Sequence, residues 1–119
     1  MTDQFWLEET KLEHPIAVIR IGGRFGSEGA QKFRDFCVNL RIENYQHLVV
    51  DMTDVAFIAS IGAGTLMIMT QVFTRINGTL QLVNLSEPVL RVVNLLNLDR
   101  FLMIKSSEKE ALESVKVTK

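Results

Sequence analysis

The chain contains a single cysteine, Cys37, among its 119 residues. One thiol excludes an internal disulfide and a cysteine-based metal cage, and it points to a reducing compartment. Neither sign of charge is in excess, since 13 Lys and Arg stand against 14 Asp and Glu. That leaves no basic field to hold nucleic acid and no acidic field of any size. No apolar run reaches the roughly 20 residues needed to cross a bilayer. The N-terminal stretch MTDQFWLEETKLE is acidic and lacks the apolar core of a signal peptide. The expectation is a cytoplasmic protein without membrane insertion, with docking on a membrane protein left open. There is no internal repeat, low-complexity tract or linker, so residues 1–119 read as a single domain. At 47% hydrophobic residues the chain has ample material for a core.

Histidine is scarce too. His14 and His47 are the only two, and neither lies near a serine in a catalytic arrangement. IGAG, residues 61–64, does not place Ser60 between glycines as a nucleophile elbow would. The glycine-rich GGRFGSEGAQK lacks the phosphate-loop spacing, and Lys32 falls where a helix would turn it away from a phosphate. GAG at residues 62–64 lacks the third glycine of a dinucleotide fingerprint. Asp51 and Asp54 are two carboxylates without a third ligand, weak support for a metal. No catalytic residue, metal or cofactor is expected.

Short apolar runs alternate with amphipathic segments. Residues 4–10 alternate weakly, as an edge strand does. PIAVIRI, residues 15–21, alternates clearly, and Gly22 and Gly23 are expected to end that strand. Ser27 suits the N-cap of a helix over 28–42, with Ala30, Phe33, Phe36, Cys37 and Leu40 on one face. HLVVDM, residues 47–52, suits a strand covered on both faces. TDVAF then reads as a loop, and Ser60 as the cap of a helix over 62–76, stopped by Asn77-Gly78. Within that helix Leu66, Met69 and Phe73 share a face, while Met67 and Ile68 fall beside it. The wider apolar set fits either a helix covered by its own domain or a partner surface, for which methionine is well suited. A strand over 79–85, a helix over 87–96 capped by Ser86 with Pro88, a strand over 101–104 and a helix over 107–115 complete the chain. Strands alternating with helices imply an α/β sheet with parallel crossovers. In such sheets binding sits where strands lead into helices, and Ser60 occupies a loop of that kind.

HLVVDMTDVAFIASIGAGTL, residues 47–66, resembles the central signature of STAS domains of the anti-sigma factor antagonist type. There a buried strand ends in Asp or Asn and is followed by an apolar pair, then Asp-Ser-Ser/Thr-Gly-x-Gly and an apolar helix. GGRF at residues 22–25 resembles the family's turn before the first helix. NGTLQLVNLSEPVLRVVNLLNLDRFLMI resembles its later strand, short helix and final strand. The resemblance implies a STAS-like α/β fold, a mixed, mostly parallel sheet of about five strands with about four helices. It also implies a mechanism. An anti-sigma factor that is also a serine kinase binds the unphosphorylated STAS protein and so frees its sigma factor. Phosphorylation of the motif's first serine, here Ser60, breaks that contact, and a phosphatase restores it. The implied partner surface is Phe25, Gly26, Ser27, Ile58, Ile61, Gly62 and Ala63, with Gly64 allowing close approach. Ala59 stands in place of the motif's aspartate and Ile61 in place of its second hydroxyl. Gly26 stands where the family has an aspartate before the first helix. These apolar replacements keep a second reading open, a STAS adaptor that is not phosphorylated, such as a subunit of a lipid-transport ATPase or a signalling scaffold. Trp6, Phe5 and the edge strand offer a dimer contact, with a tucked-in terminus the equal alternative.

Overall fold

The computed structural model describes residues 4–115. Its strands are Trp6–Lys11 (β1), Ile16–Phe25 (β2), His47–Ile58 (β3), Thr79–Val83 (β4) and Met103–Lys105 (β5). Its helices are Ser27–Ile42 (α1), Ser60–Arg75 (α2), Glu87–Leu96 (α3) and Glu108–Val115 (α4), with a 3-10 turn at Leu98–Arg100. The five strands form one sheet in the order β1-β2-β3-β4-β5. β1 runs antiparallel to β2, and the remaining neighbours are parallel. The expected mixed, mostly parallel α/β architecture is the one observed.

Alternation along the strands sorts side chains into two cores, as a period of two requires. Ala17, Ile19 and Ile21 of β2 join Leu48, Val50 and Met52 of β3 beneath Phe33, Cys37 and Leu40 of α1 and Leu66, Met69 and Phe73 of α2. Val18, Val49 and Val83 pack on the other face against Ala111 of α4. Gln81 is fully buried there and is satisfied: its amide donates to the Ala111 carbonyl at 3.2 Å and its carbonyl accepts from the Ser114 hydroxyl at 3.2 Å.

Several boundaries differ from expectation, each for a physical reason. Gly22 and Gly23 do not end β2. The strand continues through them to Phe25 across two register shifts in its pairing with β3. At Gly22 a β-carbon would strike the Trp6 indole, so the missing side chain makes room for β1. Gly23 has φ 81°, which disfavours other residues. TDVAF is not a loop. Gly22 pairs with Asp54, Gly23 with Val55, Arg24 with Phe57 and Phe25 with Ile58, so β3 runs on for as long as β2 does. Val55 and Ile58 are buried while Thr53, Asp54, Ala56 and Phe57 face outward, and that polar surface is what read as a loop. β4 is shorter than 79–85, because Asn84 turns the chain at φ 53°. β5 begins at Met103, after the 3-10 turn and the exposed Phe101. α2 begins at Ser60 rather than residue 62 and ends at Arg75, where Asn77 (φ 63°) and Gly78 close it as expected.

Candidate functional site

The parallel pairing of β2 and β3 brings the starts of α1 and α2 side by side. Phe25 and Ile58 are paired at the strand ends. One residue on, the Ala59 amide donates to the Phe25 carbonyl at 3.1 Å. Each chain then turns directly into its helix. The Gly26 carbonyl accepts from the Ala30 amide at 2.7 Å, and the Ala59 carbonyl accepts from the Ala63 amide at 3.1 Å. The N-caps are therefore Gly26 and Ala59, and Ser27 and Ser60 are the first residues inside their helices. The expectation that these serines cap the helices is corrected. Ladder bonding reaches to the last strand residue, so the cap falls one position earlier, on residues with no hydroxyl. Neither helix start has a side-chain cap bond. Both serine side chains stand in solvent.

The expected partner residues divide into two groups. Phe25 is fully buried, stacked on Phe5 at a centroid distance of 5.7 Å and edge-on to Phe33 at 5.5 Å. It is a core residue and offers no apolar rim, because its strand position points between the sheet and α1. Ile58 and Ala63 are buried in the same core. Gly62 is buried as well, and a β-carbon there would meet the Phe25 carbonyl. Its absent side chain lets α2 lie close against the end of β2. Gly26, Ser27, Ser60 and Ile61 remain accessible, and Ile61 is 51% exposed. A β-carbon at Gly64 would meet nothing within 4 Å, so that position is open to a partner.

The structure adds residues that the sequence reading did not assign. Ile68 lies two turns beyond Ile61 and is 57% exposed, so Ile61, Gly64 and Ile68 form a small apolar stripe on the outer face of α2. Phe57 is 39% exposed at the end of β3, and the Arg24 guanidinium sits 4.2 Å from its ring centroid. That spacing is within cation–π range. Ile68 was visible as an apolar residue off the buried face of its helix. Arg24 was hidden because it fell in a segment read as a turn, whereas Phe57 opened the 57–64 segment expected to bind a partner and only its place in a strand was missed. The first turn of α2 contains no acidic residue, and the partial positive charge of a helix start favours an anion added there.

The histidines lie elsewhere. His47, at the opposite end of β3, bonds the Thr79 hydroxyl at 2.9 Å, and His14 approaches the Glu43 carbonyl at 3.3 Å. Among the described residues no three His, Cys, Asp or Glu side chains gather as a metal site. Asp51, inside β3 beside the end of β4, accepts from the Thr53 amide and hydroxyl and from the Asn84 side-chain amide, and these bonds do not involve Asp54. Among the described residues no helix is long and apolar enough to cross a membrane.

The sequence model of the STAS domain matches residues 9–111. The chain belongs to the STAS domain family. Solved structures with the same fold include the Thermotoga maritima protein TM1081, at 25% identity and a TM-score of 0.77, covering 88% of this chain and 91% of that one. An anti-sigma factor antagonist from Mycobacterium paratuberculosis is 18% identical with a TM-score of 0.82, and 95% of each chain is covered. SpoIIAA, an anti-sigma factor antagonist solved in its unphosphorylated form, is 21% identical with a TM-score of 0.76, covering 97% of this chain and 100% of that one. The same Bacillus cell fate determinant is also solved in its phosphorylated form. A comparison with curated proteins returns no match. The structural neighbours of this STAS domain thus include anti-sigma factor antagonists.

Proposed function

We propose that this STAS domain, taken as residues 1–119, is a cytoplasmic anti-sigma factor antagonist. It binds an anti-sigma factor that is also a serine kinase, through the start of α2 and the adjoining start of α1. The observation that carries this reading is Ser60 itself, a solvent-facing hydroxyl in the first turn of a helix, next to the exposed Ile61 and the open backbone of Gly64. In the kinase's site the Ser60 oxygen attacks the γ-phosphorus of ATP. ADP leaves, and the hydroxyl proton passes to a base of the kinase. The product carries roughly −1.5 to −2 charges. A helix N-terminus tolerates that charge, whereas an apolar partner surface seated on Ile61 does not. A phosphatase reverses the change. This domain takes part through contact and as the phosphate acceptor, and it performs no catalysis.

Incubation with the cognate kinase and ATP should add one phosphate by intact mass, lost in Ser60→Ala. Ser60→Asp should weaken partner binding by roughly tenfold or more, as expected for a charge buried without a partner. An unmodified mass after that incubation rejects the switch. A specific observation favours a second reading: Ala59 and Ile61 make the segment around Ser60 apolar, and no acid lies in the first turn of α2. A non-phosphorylated adaptor of a lipid-transport ATPase or of a signalling scaffold fits that chemistry, and copurification with a membrane ATPase instead of a kinase distinguishes it.

A further inference from the structure

At the far end of α2 from Ser60 lies a second surface of different character. The 16-residue helix spans roughly 24 Å, so the two surfaces are well apart. An open groove of about 370 Å³ runs between the C-terminal half of α2 and the chain that follows the 3-10 turn. Phe101, Leu102 and Met103 line one side, and Arg75 and Arg100 flank it, with Gln71 opposite. Phe101 is 54% exposed, although it stands next to buried Leu102.

The charges of this groove are uncompensated. Arg20, Arg34 and Arg91 each meet a carboxylate, at 2.8, 3.9 and 3.6 Å. Arg75 and Arg100 enter no ion pair among the described residues, and no acidic side chain lines the groove. Arg100 lies 6.0 Å from the Phe101 ring centroid, a loose stacking that keeps its donors free. Arg75 sits in the last turn of α2, where a cation favours the helix carbonyls. That accounts for Arg75 but not for Arg100 or for the exposed Phe101. Arg24 and Arg41 also enter no ion pair among the described residues, but here two such guanidinium groups flank one apolar trough with no acidic side chain in its lining.

We propose that this groove docks an acidic amphipathic segment of a partner protein. An apolar side chain of that segment rests on Phe101, Leu102 and Met103, while carboxylates bridge to Arg75 and Arg100. Guanidinium groups bind carboxylates in a planar, two-bonded geometry. The volume suits a few side chains of a crossing segment. This surface does not depend on the Ser60 reading, and a single domain can hold one partner at each end of α2.

The test uses the full chain and two labelled helical peptides with the same leucine spacing, one flanked by glutamate and the other by lysine. Fluorescence anisotropy should show binding of the glutamate peptide only, weakening as salt rises. Arg75→Gln and Arg100→Gln should each reduce affinity by roughly fivefold, the range of an exposed ion pair. Phe101→Gln should reduce it further, and Ser60→Asp should leave it unchanged. Circular dichroism melts confirm that each variant remains folded, and Arg100→Gln, at an exposed site, keeps the test valid if Arg75→Gln does not. Equal binding of the two peptides, or full affinity in the double arginine variant, overturns the proposal. Displacement of the peptide by inorganic phosphate alone also overturns it, in favour of a small-anion site.

Discussion

Phe25 and Ile61 show how burial separates two residues that look equivalent in the sequence. Both are large and apolar and both flank a helix start, but Phe25 is fully buried between Phe5 and Phe33 while Ile61 is half exposed. Phe25→Ala should lower stability by about 3–5 kcal/mol through lost transfer energy and the cavity left behind. Ile61→Asp should change the unfolding free energy by no more than about 0.5 kcal/mol while weakening the partner contact. Urea titration and a binding isotherm, measured on the same preparations, check both. The glycines of α2 divide in the same way. Gly62→Ala forces a β-carbon onto the Phe25 carbonyl, which is backbone and cannot swing aside, so it should destabilise the domain. Gly64→Ala meets open space in a helix interior and should stabilise it by about 0.5–1 kcal/mol. If Gly64 is small because a partner approaches there, that more stable variant binds less well, a combination that loss of folding cannot produce.

At the scale of elements, periodicity made the architecture legible and pairing set the boundaries. The alternation of PIAVIRI, the helical spacing from Ala30 to Leu40, and Asn77-Gly78 as a stop each correspond to an observed element. The extension of β2 and β3 to Phe25 and Ile58 was not legible. It rests on each strand having the other as a neighbour, and on the space Gly22 leaves for Trp6. Moving those boundaries moved the site, because the ladder carries the helix caps back to Gly26 and Ala59. Arg24 and Phe57 came into view in the same way, as cross-strand neighbours distant in sequence. Ser86 gives an element-scale prediction. It precedes α3 at the N-cap, as its sequence context indicated, yet its hydroxyl oxygen is buried without a hydrogen-bond partner. Replacing an N-cap serine by alanine ordinarily costs about 1 kcal/mol. Here no cap bond exists to lose and a buried polar atom is removed, so Ser86→Ala should be neutral or stabilising in a thermal melt. A clear drop in midpoint would mean that the hydroxyl caps the helix in solution.

For the whole molecule, pH acts through the central strand. His47 and Asp51 are both on β3, one at its start and one paired to the last residue of β4. Burial lowers the His47 imidazole from its ordinary value of 6.5. Burial of Asp51 works to raise its carboxyl, but the bonds from Thr53 and Asn84, with Arg20 nearby, prevail and hold it below its ordinary 3.8. In both cases the unfolded chain binds its proton at a higher pH than the folded one, so stability rises with pH across that interval. The His47 contribution is complete above pH 6.5 and is lost as pH falls through the lowered folded value. The Asp51 contribution is complete above pH 3.8 and is lost below it. Glu110, held down by the Ser106 amide and hydroxyl, adds to the same acid limb from the exposed surface. Urea midpoints should therefore be flat near neutrality, decline modestly below pH 6.5, and decline again in the carboxylate range. His47→Gln should remove the first decline and keep the second, and Asp51→Asn should keep the first and shrink the second, leaving the Glu110 share. A first decline that persists in His47→Gln would place that titration outside the centre of the sheet and overturn the assignment.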